Sequence, residues 1–176
     1  MIIVGAGGHG RSVAEAVLMG ELGVNLTGFV DDNFPEILDI WGIPVLGDTQ
    51  NLSKYRDLTD RAVVAIGNNH VRAALQYQLI EAGFRMISVV HPNAIVSPSA
   101  VIGDGSMLMA GAVIGAETSL GVGVIVNSGA VIDHHCTIGD FGHLGVGASM
   151  AGGSSLGVGA WLQAGKSLGY GENIQA

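Results

Sequence analysis

From residue 94 onward, apolar positions recur at every sixth residue. Stepping by six from Val96 to Ile174, all fourteen positions are Val, Ile, Leu or Met, with no slip in register. The residue two before each is usually small, as at Ala100, Ser106, Ala112 and Thr118, and glycine often follows, as at Gly103, Gly115, Gly121 and Gly139. A period of six belongs neither to a helix nor to a simple strand, whose periods are about 3.6 and 2. It is the hexapeptide rhythm of a parallel β-helix. Each unit forms one side of a triangular prism, and three sides make a coil of about eighteen residues. The aliphatic residue points inward and stacks on its equivalent about 4.8 Å away in the next coil. The small residue fits near the corner, and the glycine is expected to accept the turn geometry.

The first 92 residues follow a different grammar. Residues 2–4 read as an apolar strand, 5–10 as a glycine turn and 11–19 as a helix. Strands are expected over 26–30, 62–66 and 86–90, with a helix over 70–82. This alternation predicts a small parallel α/β sheet. The chain therefore divides into an α/β domain over 1–92 and a β-helix over 93–176. The repeat is still running at Ile174, and a solenoid needs a polar cap over its last coil. The helix therefore reads as truncated at its C-terminal end, or covered there by something else.

Composition narrows the function. The net charge of −8 argues against a nucleic-acid partner, which would need clustered Lys and Arg. No apolar run is long enough to span a membrane, and no basic-then-apolar leader opens the chain, so a cytoplasmic protein is expected. The single cysteine, Cys136, excludes an internal disulfide and sits in the small-residue register, where packing is its expected role.

The densest chemistry lies in Asn127 to Cys136, which holds Asp133, His134 and His135, with His143 following. A packed prism cannot host a site inside, so these groups must work on its outer surface. Parallel prisms packed side by side create such grooves, which makes a homotrimer the natural assembly. A histidine in such a groove can serve as a general base, because its ordinary pKa lies near neutrality, and His134 is the candidate. A histidine pair on a prism also suits a shared zinc site, but the His135–His143 spacing does not match one, and no metal is expected. At the N-terminus, Gly5-Ala6-Gly7-Gly8-His9-Gly10 fits G-x-G-x-x-G, with Asp31-Asp32 some twenty residues on. On motif alone a dinucleotide ranks first. So short an α/β region suits a single nucleotide better.

Taken together, Gly5–Gly10, Val30-Asp31-Asp32, residues 65–69, His91-Pro92, Asn127–Cys136 and residues 141–143 resemble the NeuD/PglD-type sugar acetyltransferases of the sialic acid and bacillosamine kind. The resemblance implies a Rossmann-like nucleotide-sugar domain followed by a left-handed β-helix that binds acetyl-CoA, assembled as a trimer. It implies N-acetylation of an amino group on a nucleotide-linked amino-dideoxysugar, as a step in surface-glycan synthesis. O-acetylation of a sialic-acid-type sugar is the alternative, and a non-catalytic nucleotide-binding protein is the alternative of another class. Gly7, Gly8, His9, Asp31, Asp32 and Gly67 are expected to hold the nucleotide sugar. His134, Asn127 and His135 are expected at the catalytic centre. His143, Gly152 and Ala164 are expected along the acetyl-CoA path. Some members carry an acidic residue directly after the catalytic histidine; here it is His135, so a carboxylate from elsewhere must take that part.

Overall fold

The computed structural model describes residues 1–20 and 25–175. β1 (Ile2–Val4) is followed by α1 (Gly8–Met19), β2 (Gly28–Val30) and a small hairpin, β3 (Asp39–Ile40) with β4 (Ile43–Pro44). β5 (Arg61–Val64), α2 (Asn69–Glu81) and β6 (Arg85–Met86) complete the α/β half. The sheet runs β2-β1-β5-β6, every pair parallel. β-Branched residues dominate because the sheet is covered on both sides. Ile3, Phe29 and Val63 pack with Val13, Ala16 and Val17 of α1. Ile2, Val4, Ala62 and Val64 pack with Leu75 and Leu79 of α2. Helix α1 starts three residues earlier than its apolar pattern suggests. Gly5, at φ +108°, completes the reversal alone, and Gly10 packs on the Gly5 carbonyl too closely for any side chain. No helix among the described residues is long and apolar enough to cross a membrane.

The strand expected over 86–90 is two strands. β6 closes the α/β sheet, whereas β7 (Val89–Val90) pairs with Met107–Leu108 as the first rung of the prism. Rungs then follow every six residues to β21 (Asn173–Ile174). Each pairs in parallel with the rung eighteen residues on, for example Met107↔Ile125 and Val113↔Val131. The first face holds Val89–Val90, Met107–Leu108, Ile125–Val126, His143–Leu144 and Trp161–Leu162. The second begins at Ile95–Val96 and the third at Val101–Ile102. The second residue of every rung points inward, and Leu108, Val126, Ile132 and Leu144 are fully buried. The predicted hexapeptide prism is therefore what the chain builds.

Glycine serves it in two ways, and the turn geometry belongs to a column other than the expected one. Gly103, Gly115, Gly139 and Gly145 follow inward residues, and a methyl group on any of them would fall 2.5–2.7 Å from the backbone of the next coil. They permit close stacking. The left-handed turn lies two residues further on, at every sixth position from 105 to 171. Nine of those twelve are glycine; Glu117, His135 and Phe141 hold φ near +57° without that freedom. Each such residue costs roughly 1–2 kcal/mol, so something must compensate at those three corners.

The two halves are joined by α1 and α2. α1 is packed between the sheet and the first face, where Val89, Met107 and Ile125 enter the same apolar cluster. α2 lies along the corner between the third and first faces. One stripe of it, Asn69, Arg72 and Gln76, is spaced i, i+3, i+7. Gln76 donates to Asp104 O, Arg72 to Gly123 O and Phe141 O, and Asn69 to Gly159 O. These carbonyls belong to successive coils. The match arises because a helical turn advances about 5.4 Å and a coil about 4.8 Å. Phe141 is thus explained: its carbonyl takes Arg72, and its ring meets Tyr77 edge-on at 5.6 Å.

Candidate functional site

The expected site residues other than Ala164 fall into two groups on opposite sides of the prism. The first surrounds the junction of the α/β half with the first face. There the N-terminus of α1 is uncapped: Gly7 offers no side chain, and a methyl group on Gly7 or Gly8 would meet nothing within 4 Å. α2 is treated differently, since Asn68 Oδ1 accepts from the His70 and Val71 amides at 3.1 Å. An open helix N-terminus beside glycines that leave room for close approach suits a phosphate group. Asp31 does not reach into this space. Its Oδ2 accepts from Ala6 N at 2.6 Å and its Oδ1 from Asn33, so it fixes the glycine turn. Burial pushes its pKa up, but these hydrogen bonds outweigh burial and hold it below the usual value. Asp32 accepts from the Thr49 amide and hydroxyl.

Behind the glycine turn lie a buried imidazole, a second that is partly buried, and a buried guanidinium. Arg72 is wholly buried and donates to Ile66 O, Gly67 O, Gly123 O, Phe141 O and Asn69 Oδ1 at 2.7–3.2 Å. Burial lowers its pKa to about 10, which leaves it charged at neutral pH. Burial and then the Arg72 charge press His9 down to about 4. His9 Nε2 is buried and has no partner among the described residues. His143 is likewise held at about 4 by burial, then Arg72, with its bond to Gly67 opposing. Its Nδ1 lies 3.3 Å from Gly67 O, and its Nε2 2.8 Å from Asn127 Nδ2. The carbonyl only accepts and the amide nitrogen only donates, so neutral His143 carries its proton on Nδ1. Its ring stacks on Trp161 at 4.5 Å and 6°. His143 is therefore a fixed, uncharged junction piece with both nitrogens engaged.

The second group lies at the corner between the second and third faces, opposite the first face. His134 and His135 occupy it, with Glu117 one coil before and Gly152 one coil after. The His134 ring lies over Gly152, where a methyl group would fall 2.6 Å from Cε1 and 2.8 Å from Nε2. His134 Nδ1 lies 2.9 Å from His135 Nδ1, whereas Asp133 Oδ2 is 3.7 Å from His134 Nε2. Nε2 is thus left without a hydrogen bond on a side chain that is half exposed. Asn127 does not join this group; it belongs to the His143 side. Ala164 lies at a third corner, between the first and second faces, exposed beyond Val146.

A single chain therefore does not bring the expected base to the expected sugar pocket. A cleft of about 690 Å³ lies elsewhere, along α2 between Tyr77, Ile80 and Val122. Sequence reasoning missed Asn69, Arg72, Glu117 and Trp161. For Glu117 the signal was present, as an acidic residue interrupting a glycine column.

The PglD N-terminal domain family matches residues 1–79. PerB from Caulobacter crescentus, solved in complex with CoA and GDP-perosamine, is 37% identical, with a TM-score of 0.93 over 99% of this chain and 82% of that one. A histidine-to-alanine mutant of GDP-perosamine N-acetyltransferase from the same organism, with the same ligands, gives 0.93 at 36% identity over the same shares. The acetyltransferase domain of PglB from Neisseria gonorrhoeae FA1090 in complex with acetyl coenzyme A is 30% identical, with a TM-score of 0.72 over 99% of this chain and 95% of that one.

Proposed function

This chain belongs to the NeuD/PglD-type hexapeptide-repeat sugar acetyltransferases, and from that premise we propose that it N-acetylates a nucleotide-linked amino-dideoxysugar, with His134 as general base. The supporting observation is the contrast between its imidazoles. His143 has both nitrogens engaged and stays neutral down to about pH 4. His134 offers an unbonded Nε2 at an open corner whose next coil is cleared by Gly152. The sugar amine attacks the thioester carbonyl as its proton passes to His134 Nε2. The C–S bond then breaks, and the proton returns to the departing CoA thiolate, giving amide and free thiol. The relatives solved with CoA and with GDP-perosamine support this pairing of substrates. Such a reaction belongs in the cytoplasm, where acetyl-CoA and nucleotide sugars are supplied.

The same reading makes the enzyme a homotrimer. The open α1 terminus, His9 and His143 stand on one side of the prism and His134 on the other, so a complete site needs two chains. Exposed Ile95, Val131 and Val101 near the His134 corner provide apolar surface for that contact.

The test is a His134→Ala variant assayed with acetyl-CoA and UDP- or GDP-linked amino sugars. Loss of a base of this kind lowers turnover by about 10²–10⁴-fold; near-full turnover overturns the assignment. Mixing His134→Ala chains with Gly8→Val chains is expected to restore part of the activity, because some mixed interfaces carry both intact walls. Faster acetylation of a hydroxyl than of an amino acceptor would replace the N-acetyl reading.

A further inference from the structure

We propose that Glu117 is a positioning residue for the His134 base, acting through His135 from the preceding coil. The inference rests on the reading of His134 as base. It starts from the three corners that hold a left-handed backbone without glycine. Phe141 is explained by the docking of α2; Glu117 and His135 are not. They are eighteen residues apart, at one corner of adjacent coils, and they touch: His135 Nε2 lies 2.9 Å from Glu117 Oε2. Both side chains are well exposed, and exposed pairs of this kind contribute little to stability. Stability therefore does not explain why two neighbouring corners forgo glycine.

Proton placement does. An ionised carboxylate only accepts hydrogen bonds, so His135 Nε2 carries a hydrogen. Neutral His135 then presents a lone pair at Nδ1. Its neighbour at 2.9 Å is His134 Nδ1, which must supply the hydrogen of that contact. His134 is thereby left with its lone pair on Nε2, the nitrogen without a hydrogen-bond partner among the described residues. The order is Glu117 carboxylate, His135 Nε2–H, His135 Nδ1, His134 Nδ1–H, His134 Nε2. When Nε2 takes the amine proton, His134 keeps its Nδ1–H, and the new charge is aligned with a chain that ends in a carboxylate. No proton need travel along that chain.

The other groups at the corner do not perform this task. Asp133 Oδ1 accepts from the His134 backbone amide at 2.8 Å, and its Oδ2 is too far from Nε2 to bond it. The next coil presents only Gly152 and Gly153, and Cys136 Sγ points to the Ala151 carbonyl. Without Glu117, nothing holds the hydrogen of His135 on Nε2. His135 can then donate from Nδ1 and drive the proton of His134 to the wrong nitrogen.

Glu117→Gly tests this cleanly, because glycine is the ordinary residue at these corners and the variant is expected to fold at least as well as the parent. We expect kcat to fall about 10- to 100-fold, the range seen when outer partners that orient an imidazole are lost. KM for both substrates should stay unchanged, and Glu117→Asp should recover part of the loss. Nitrogen-15 spectra of the resting enzyme should show His134 protonated on Nδ1, and that signature should be lost in Glu117→Gly. Wild-type kcat in Glu117→Gly, with His134→Ala inactive, overturns this inference alone, as does a kcat loss without a change in the His134 spectrum. An active His134→Ala overturns the reading beneath it.

Discussion

Mild acid should loosen the junction between the two halves, and His143 sets the pH window. Its pKa falls from 6.5 to about 4 in the folded chain, chiefly by burial and then by the Arg72 charge. The unfolded chain binds a proton near pH 6.5, whereas the folded chain refuses it until about 4. Stability is therefore complete above about pH 6.5, falls as pH drops from there to about 4, and falls no further from this cause below. At about 1.4 kcal/mol per pH unit, the whole window represents an upper limit of about 3.5 kcal/mol. His9 is depressed to the same value by burial and the same guanidinium, so its share does not simply add. The assay is urea unfolding at intervals between pH 7.5 and 4.5, above the range in which Asp31 titrates. His143→Asn provides the comparison, since Asn can donate to Gly67 O and accept from Asn127 but does not titrate. A variant that loses stability as steeply as the parent over this window refutes the assignment to His143.

Two further substitutions probe the frame of the site. Arg72→Leu leaves four backbone carbonyls and Asn69 Oδ1 without their donor and should cost about 3–5 kcal/mol, read as a lower thermal midpoint; an unchanged midpoint would show that α2 is held mainly by apolar contact. Gly152→Ala places a methyl group 2.6 Å from His134 Cε1 and should swing a half-exposed ring aside. Stability should change by no more than about 0.5 kcal/mol, while kcat falls by roughly 10²-fold, as expected for a misplaced reacting group. A normal kcat in Gly152→Ala would show that His134 need not stay where the structure holds it.

The sequence carried the prism because one simple rule repeats: an inward aliphatic residue at every sixth position leaves no other register. It carried the strand–turn–helix at Gly5–Gly10 for a similar local reason. It misassigned the turn glycines because two columns, two residues apart, both favour glycine, one for backbone angle and one for close stacking. Only coordinates separate those causes. Val89–Val90 was merged with β6 because two short apolar strands that pair with different sheets look like one longer strand. Arg72 stayed invisible because all but one of its partners are backbone carbonyls, from three separate segments, and a carbonyl leaves no trace in side-chain pattern. The division of the site residues between two sides followed the same logic: the motifs stated which residues matter, and only the eighteen-residue register stated which way each one faces.

That division has a consequence for how such an enzyme changes its substrate. In the proposed trimer, one chain supplies the open α1 terminus, His9 and the His143–Trp161 stack, and its neighbour supplies the Glu117–His135–His134 corner. The second wall is made of rungs bonded to their neighbours at every coil, so the base has little freedom to move. The first wall is a separate α/β layer held by α1 packing and by the Asn69–Arg72–Gln76 stripe on α2. Substitutions around Gly7 to His9 can therefore alter which nucleotide sugar is held while the base stays in place. A change at the His134 corner has no such latitude, because each of its residues is stacked on the coil before and the coil after. Acceptor choice should reside in the α/β half and the proton transfer in the prism. Exchanging residues 1–86 between two enzymes of this architecture should then carry sugar preference with the α/β half and leave the effect of Glu117→Gly on kcat unchanged. A chimera that keeps the sugar preference of its prism would break this division.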